Sequence, residues 1–278
     1  MEEVVAEVRR ELQDAIRNNR IVLPTLPEVA LKVRDAAEDP RMDVAGMSKV
    51  LANDAALTAR VIRVANSPLL RASVPIEDVR TAISRLGIQY TCNLAIGLAM
   101  EQMFQATSEV VDKHMRRVWT KSTEVAGISA VLARTYTKLK FDQATLAGLV
   151  HQIGVLPILR FAEEDRRLLR QPELLDLLIA ELHGEIGGLI LETWGFPPEL
   201  QAVPREYLKF DRQVDKVDYT DVVMVANLQS AIGTEGALTD LDWTQISAFW
   251  RMGLDPKVNM MEAEDLSETM SSSIAALQ

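Results

Sequence analysis

The chain of 278 residues contains one cysteine, three histidines and few aromatic side chains, which make up 5% of its residues. A single cysteine, Cys92, excludes an intramolecular disulfide and a cysteine-based zinc site. Because residues 94–96 beside it are apolar, we expect a buried thiol with no redox role.

No apolar run in the sequence approaches the roughly 18 residues that a membrane span requires. The first residues, Met1, Glu2 and Glu3, are acidic where a secretory signal would be basic. We therefore expect a cytoplasmic protein with no membrane association. Phosphate-binding loops are also missing, because residues 184–188 lack the strand-to-helix context of a dinucleotide loop and no lysine follows glycine in a P-loop pattern. No Ser-His-Asp triad is evident.

An excess of basic charge is absent as well, since the formal net charge is −10. Such a charge repels phosphate backbones and disfavours general nucleic-acid binding. A local basic face is formed by His114, Arg116, Arg117, Lys121, Arg134, Lys138 and Lys140. Because no aromatic residues interleave with these side chains, they indicate a solvated helix face. Nucleic-acid binding through this face stays open as a weaker alternative.

Apolar residues, 48% of the chain, recur at three- and four-residue intervals, which predicts an all-α protein of roughly a dozen helices. An amphipathic helix is expected over residues 1–19, and a long helix over about residues 108–136. Asp43, Asp54 and Asp142 each precede an apolar periodic stretch and are predicted N-caps. Gly87 is a predicted helix-ending glycine.

Several stretches stand in an order that chance does not readily produce. They are residues 23–29 (LPTLPEV), 51–61 (LANDAALTARV), 64–67 (VANS), 82–87 (AISRLG) and 183–197 (HGEIGGLILETWGFP). Together they resemble the HDOD family over about residues 20–213. Each stretch also has a structural explanation: Asn66 begins a helix stop, Gly187 and Gly188 permit close helix approach, and Trp194, Gly195 and Pro197 fit a locked turn.

The resemblance implies two packed helical lobes, an N-terminal lobe over about residues 20–106 and an HD-like bundle from about residue 107. Residues 214–278 would complete or flank this second lobe. HDOD domains are relatives of HD phosphohydrolases, which hold divalent metals with histidines and aspartates on neighbouring helices.

The resemblance places most of those metal ligands at residues that cannot replace them. Gln152 follows His151 where the family relationship implies an aspartate, Lys121 stands in place of an earlier histidine, and Asn227 replaces a late aspartate. Residues 205–208 (REYL) stand where paired histidines often occur. His183 and His151 alone survive, so the expected remnant cleft consists of His151, Gln152, His183, Lys121 and Asn227, with no metal, cofactor or catalysis.

The leading interpretation is a non-catalytic bacterial signalling scaffold that binds protein partners, with the degenerate cleft open to a small ligand. The first and last 20 residues are candidate handles for partners, although packing of these helices on the body is an equal alternative. A phosphohydrolase with a rebuilt metal site is the runner-up. That site would draw on Asp112, Glu181 or Glu185 beside the two histidines.

Overall fold

The computed structural model describes residues 23–70, 74–106, 108–232, 238–258 and 266–278, together with positions 7, 9–11, 14 and 18. The predicted helix over residues 1–19 lies mostly outside the described residues. Two of its described side chains form ion pairs with the body of the protein: Arg9 with Glu181, and Glu11 with Arg167 at 2.8 Å.

The first described half of the chain is helical, as the apolar periodicity predicts. It comprises α1 (Glu28–Glu38), α2 (Val44–Leu51), α3 (Ala55–Ala65), α4 (Val79–Leu86) and α5 (Ile88–Ala99), followed by a 3₁₀ turn at Met100–Met103. The Asp43 and Asp54 carboxylates accept backbone hydrogen bonds at the starts of α2 and α3, which confirms both predicted N-caps. Gly87, at φ 83°, ends α4 as predicted.

The remaining described helices follow, and the first of them is the longest. They are α6 (Glu109–Tyr136), α7 (Phe141–Val150), α8 (Val155–Glu164), α9 (Arg166–Arg170), α10 (Pro172–Thr193), α11 (Pro198–Glu206), α12 (Tyr219–Gln229), α13 (Ser247–Met252) and α14 (Ser267–Leu277), with a 3₁₀ turn at Trp243–Gln245. α6 packs against α7, α8, α12 and α14. No strand occurs in the described residues, and the all-α prediction is confirmed.

The predicted N-cap at Asp142 is wrong. Lys140 occupies the N-cap position of α7, and Asp142 lies in the first turn of that helix. The Asp142 carboxylate instead accepts a hydrogen bond from Asn93 Nδ2 at 2.8 Å. A tertiary contact between α5 and α7 therefore uses the side chain that local sequence would assign to capping.

The last helix, α14, packs against α6 and α3. At Gly127 of α6, an added Cβ atom would lie 2.8 Å from the Ile274 backbone nitrogen, so the two helices touch through their backbones. Arg60 of α3 donates a hydrogen bond to the Leu277 carbonyl at 2.7 Å. The described part of the last 20 residues thus packs on the body, which is the second of the two alternatives that the sequence left open.

One hydrophobic cluster extends from Leu26 to Leu277 and draws on helices from both predicted lobes. The segment Phe141–Glu164, which spans α7 and α8, is long and apolar enough to cross a membrane by length and composition. The sequence-based expectation that no such segment exists is therefore wrong. Within the fold, however, 83% of that apolar window is buried. Burial in the protein core therefore explains why this segment is apolar.

Candidate functional site

His151 lies at the C-terminal end of α7 and is fully buried. Its Nδ1 atom is 2.6 Å from the Gly148 carbonyl oxygen. Because a carbonyl can only accept, the neutral imidazole carries its proton on Nδ1 and directs an unprotonated Nε2 into the cleft. That Nε2 atom has no hydrogen-bond partner among the described residues.

His183 lies in the middle of α10 and adopts the same tautomer. Its Nδ1 atom is 2.6 Å from the Ile179 carbonyl, and its Nε2 atom is 2.9 Å from the hydroxyl of Tyr207. The phenol therefore donates to the unprotonated Nε2. The structure brings the two predicted histidines into one buried cluster, in which both Nε2 atoms face away from their own helix carbonyls.

Tyr207 is the central side chain of this cleft. It caps the C-terminus of α11 and is 2% exposed. Its ring lies edge-on to both imidazoles, with centroids 4.9 Å from His151 and 5.6 Å from His183. The Gln152 side chain hydrogen-bonds to the same phenol. Sequence reasoning noted residues 205–208 only as a place where histidines are missing, and nothing in that segment alone indicates that the tyrosine turns inward.

Lys121 of α6 also points into the protein, although it was counted in the basic face. Its Nζ atom donates to the Ser230 hydroxyl at 2.6 Å, and that hydroxyl donates to the Asn227 carbonyl at 2.9 Å. Asn227 is itself buried. Another member of the basic face, Arg134, hydrogen-bonds to the Leu69 carbonyl. The predicted solvated face is therefore interrupted at these two positions.

Close backbone contact fixes the distance between the helices of the cleft. A Cβ atom added to Gly154, at the start of α8, would lie 2.0 Å from the His183 carbonyl oxygen. One added to Gly187 would lie 2.8 Å from the Pro204 side chain on α11. Only glycine permits these approaches, and the expectation that Gly187 admits a neighbouring helix is confirmed.

Burial controls the protonation of the cleft. It lowers the pKa of His151 to about 3, together with the smaller effect of the Lys121 charge, although the hydrogen bond to the Gly148 carbonyl opposes this shift. Burial also lowers the pKa of His183 and raises that of the Tyr207 phenol. Both imidazoles are therefore neutral near pH 7. Burial lowers the pKa of Lys121, while the charge of Glu124 opposes this effect.

The side chains of this cleft do not fit a divalent metal. The lone pair of His183 Nε2 is engaged by Tyr207, and Gln152 offers a neutral amide where a bridging carboxylate is needed. The ammonium group of Lys121 repels a cation. Among the described residues, no three histidine, cysteine, aspartate or glutamate side chains are arranged to hold a metal ion.

The three carboxylates considered for a rebuilt site are engaged elsewhere. Asp112 pairs with Arg116 at 2.7 Å, Glu181 pairs with Arg9, and Glu185 lies 3.7 Å from Arg205. These ion pairs are at least partly exposed to solvent. None of these side chains joins the two histidines in a metal-binding group within the described chain.

The turn after α10 has the predicted locked geometry. Trp194 is 7% exposed, and its Nε1 atom donates to the Pro24 carbonyl at 2.8 Å. Gly195 has φ 72°, and Pro197 precedes the first residue of α11. In the N-terminal half of the chain, Asn66 caps α3 and exchanges two 2.8 Å hydrogen bonds with the Ile76 backbone. Each motif thus fixes the local backbone through these contacts.

The helical bundle and its histidine cleft define an HD-like fold in which protein side chains occupy the centre of the cleft. A family model for the HDOD domain matches residues 23–207, and the chain belongs to the HDOD domain family. The described helices α12 to α14 lie beyond that match and pack onto α6 and its neighbours.

Solved structures show the same architecture over nearly the full chain. A protein of Shewanella amazonensis SB2B, described provisionally as a metal-dependent phosphohydrolase, has a TM-score of 0.88 at 29% identity, covering 99% of both chains. An HDOD domain protein of unknown function from Geobacter sulfurreducens has a TM-score of 0.68 at 22% identity, covering 98% of both. The second likeness shows the fold alone.

Two further relatives are larger than this chain. A Marinobacter aquaeolei VT8 protein, provisionally described as acting in signal transduction, has a TM-score of 0.60 at 22% identity, covering 98% of this chain and 65% of its own. An uncharacterized protein of Treponema pallidum (strain Nichols) is 23% identical over 189 residues, which are 63% of this chain and 35% of the Treponema protein. The chain thus spans about a third of that curated relative.

Proposed function

We propose that this chain is a non-catalytic regulatory module of bacterial signal transduction, which acts by binding protein partners. The observation that carries the proposal is the Tyr207 side chain, which lies between His151 and His183 and occupies a histidine lone pair. Membership of the HDOD family supports a regulatory role. The first 20 residues of the chain remain our proposed binding segment for protein partners.

The histidine geometry also favours a second candidate function, metal-dependent phosphohydrolysis. Backbone carbonyls orient both imidazoles so that Nε2 faces the cleft, and this is how a second shell orients metal-ligating histidines. The Shewanella protein supports the same alternative by its description. Against it stand the neutral Gln152, the cationic Lys121 and the buried phenol.

Metal binding and turnover separate the two functions. The purified chain is incubated with manganese, magnesium or iron, and its metal content and its hydrolysis of phosphomonoesters and cyclic dinucleotides are measured. We expect neither a stoichiometric metal nor turnover. A matched variant carrying Lys121→His, Gln152→Asp, Tyr207→Ala and Asn227→Asp restores ligand types at the cleft and is expected to gain metal affinity. Turnover by the unaltered chain that His151→Ala abolishes would overturn the proposal.

A further inference from the structure

A cavity of about 260 Å³ lies where α1, α5 and α7 meet the turn at residues 194–197. It shares no residue with the histidine cleft. Its apolar surface is formed by Cys92, Ile96, Leu146, Trp194, Phe196 and Leu200. The remaining walls carry charged and amide side chains, so this cavity combines an apolar surface with converging polar groups, as small-molecule sites do.

Two opposite charges border this cavity on the same face of α1. Arg34 donates to the Trp194 carbonyl at 2.6 Å, which fixes its guanidinium group beside the turn. Glu38 lies one helical turn further along and also lines the cavity. Arg34 is partly buried and Glu38 is exposed. Both charges are therefore accessible to a ligand that enters the cavity.

The amide side chains of the cavity are oriented by their neighbours. Asn93 donates to Asp142 and accepts from Gln89 Nε2 at 3.3 Å. Gln143 Oε1 accepts from the Tyr219 hydroxyl at 2.7 Å, which identifies the other atom of that amide as the NH₂ group. Gln143 and Arg34 both line the cavity, so this NH₂ group and the guanidinium group are the donors available to a ligand there.

We propose that this cavity binds a small zwitterion, an α-amino acid with an apolar side chain. The ligand carboxylate would lie against Arg34 and the Gln143 amide, its ammonium group against Glu38, and its side chain on the apolar surface. A molecule that carries both charges satisfies both protein groups without adding net charge. The volume is small for a ligand pocket, which suits a metabolite of this size.

Calorimetric titration of the full chain with the common L-amino acids tests the proposal. We expect an amino acid with an apolar side chain to bind, and Glu38→Gln to weaken binding about tenfold or more, because one charge-assisted hydrogen bond is lost. Glu28→Gln is the matched control, since Glu28 lies on the same helix, is exposed and pairs with Lys32. That variant should bind like the unaltered chain.

A second arm removes the positive charge of the ligand and keeps its carboxylate. The N-acetylated form of the same amino acid should bind as weakly to the unaltered chain as the free amino acid binds to Glu38→Gln, and Glu38→Gln should not weaken it further. Ala37→Phe, which fills the cavity, should abolish binding while the melting temperature shows a folded protein. Absence of binding by every amino acid at millimolar concentration would overturn the proposal. So would binding that both Glu38→Gln and Ala37→Phe leave unchanged, or binding of adenosine or guanosine in place of an amino acid.

Discussion

Tyr207 contacts His151 through its ring and His183 through its ring and a hydrogen bond. A phenol donates one proton to one imidazole and brings no formal charge into the cleft. The bridging carboxylates that would balance a divalent cation are therefore not needed. The positive charge near the cleft belongs to the ammonium group of Lys121, which donates a hydrogen bond to the Ser230 hydroxyl.

Tyr207→Phe is expected to lower the free energy of unfolding by about 1–3 kcal/mol, because it leaves the buried His183 Nε2 without a donor. Urea denaturation measures the change. Tyr90→Phe is the control, since Tyr90 is similarly buried but its hydroxyl makes no hydrogen bond within the described chain, and it should change stability much less. Equal effects of the two substitutions would show that the Tyr207 hydroxyl stabilises nothing.

The buried histidines predict a loss of stability in acid. Burial holds the pKa of His151 near 3, below the ordinary 6.5, and it also lowers that of His183. As the pH falls from about 6.5 towards 3, the unfolded chain takes up protons that the folded chain does not, so the free energy of unfolding decreases. His151→Gln should make this decrease shallower, because glutamine does not titrate. Unfolding curves across this pH range give the slopes, and identical slopes for the unaltered chain and the variant would contradict the prediction.

At the scale of the secondary-structure elements, the turn between α10 and α11 depends on one indole. Trp194 closes the end of α10 by packing beside Phe196 and by its hydrogen bond to Pro24. Trp194→Ala should lower the free energy of unfolding by about 3–5 kcal/mol, as measured by thermal denaturation. Trp250→Ala is the control, because that indole is 63% exposed and its loss should cost far less. A small effect at Trp194 would mean that the indole is not part of the core.

The junction of α6 and α14 has no space for a side chain at position 127. Gly127→Ala should therefore destabilise the docking of α14, although alanine ordinarily favours helix over glycine by about 1 kcal/mol. Hydrogen exchange of α14 should become faster. In Gly46→Ala, on α2, the added Cβ meets the flexible end of Met42 and lies 3.3 Å from a carboxylate oxygen of Asp43, so this control should not speed exchange of α14. Unchanged exchange in Gly127→Ala would show that the backbones can separate without cost.

The elements were largely predictable from local signals, whereas the site was only partly so. Asp43 and Gly87 act within one turn of their own helices, and short-range chemistry therefore identified them. Asp142 carries the same local signal but serves a distant partner on α5. The inward positions of Lys121 and Tyr207 likewise depend on contacts with other helices, which periodicity does not encode.

At the scale of the whole molecule, the two predicted lobes share one hydrophobic cluster. Since α5 packs on α7 as well as on α1, neither half can separate without exposing apolar surface. We expect a single unfolding transition, seen at the same denaturant concentration by tryptophan fluorescence and by circular dichroism. Two separated transitions would show that the lobes are independent units.

The backbone contact between Gly154 and His183 has a consequence for how such a protein changes under selection. Position 154 is held by packing alone, so a library selected only for folded protein should retain glycine there. The same library should accept other residues at Gln152, whose side chain is partly exposed. Part of the sequence around the histidine cleft can thus persist through the geometry of the scaffold, without any demand from chemistry.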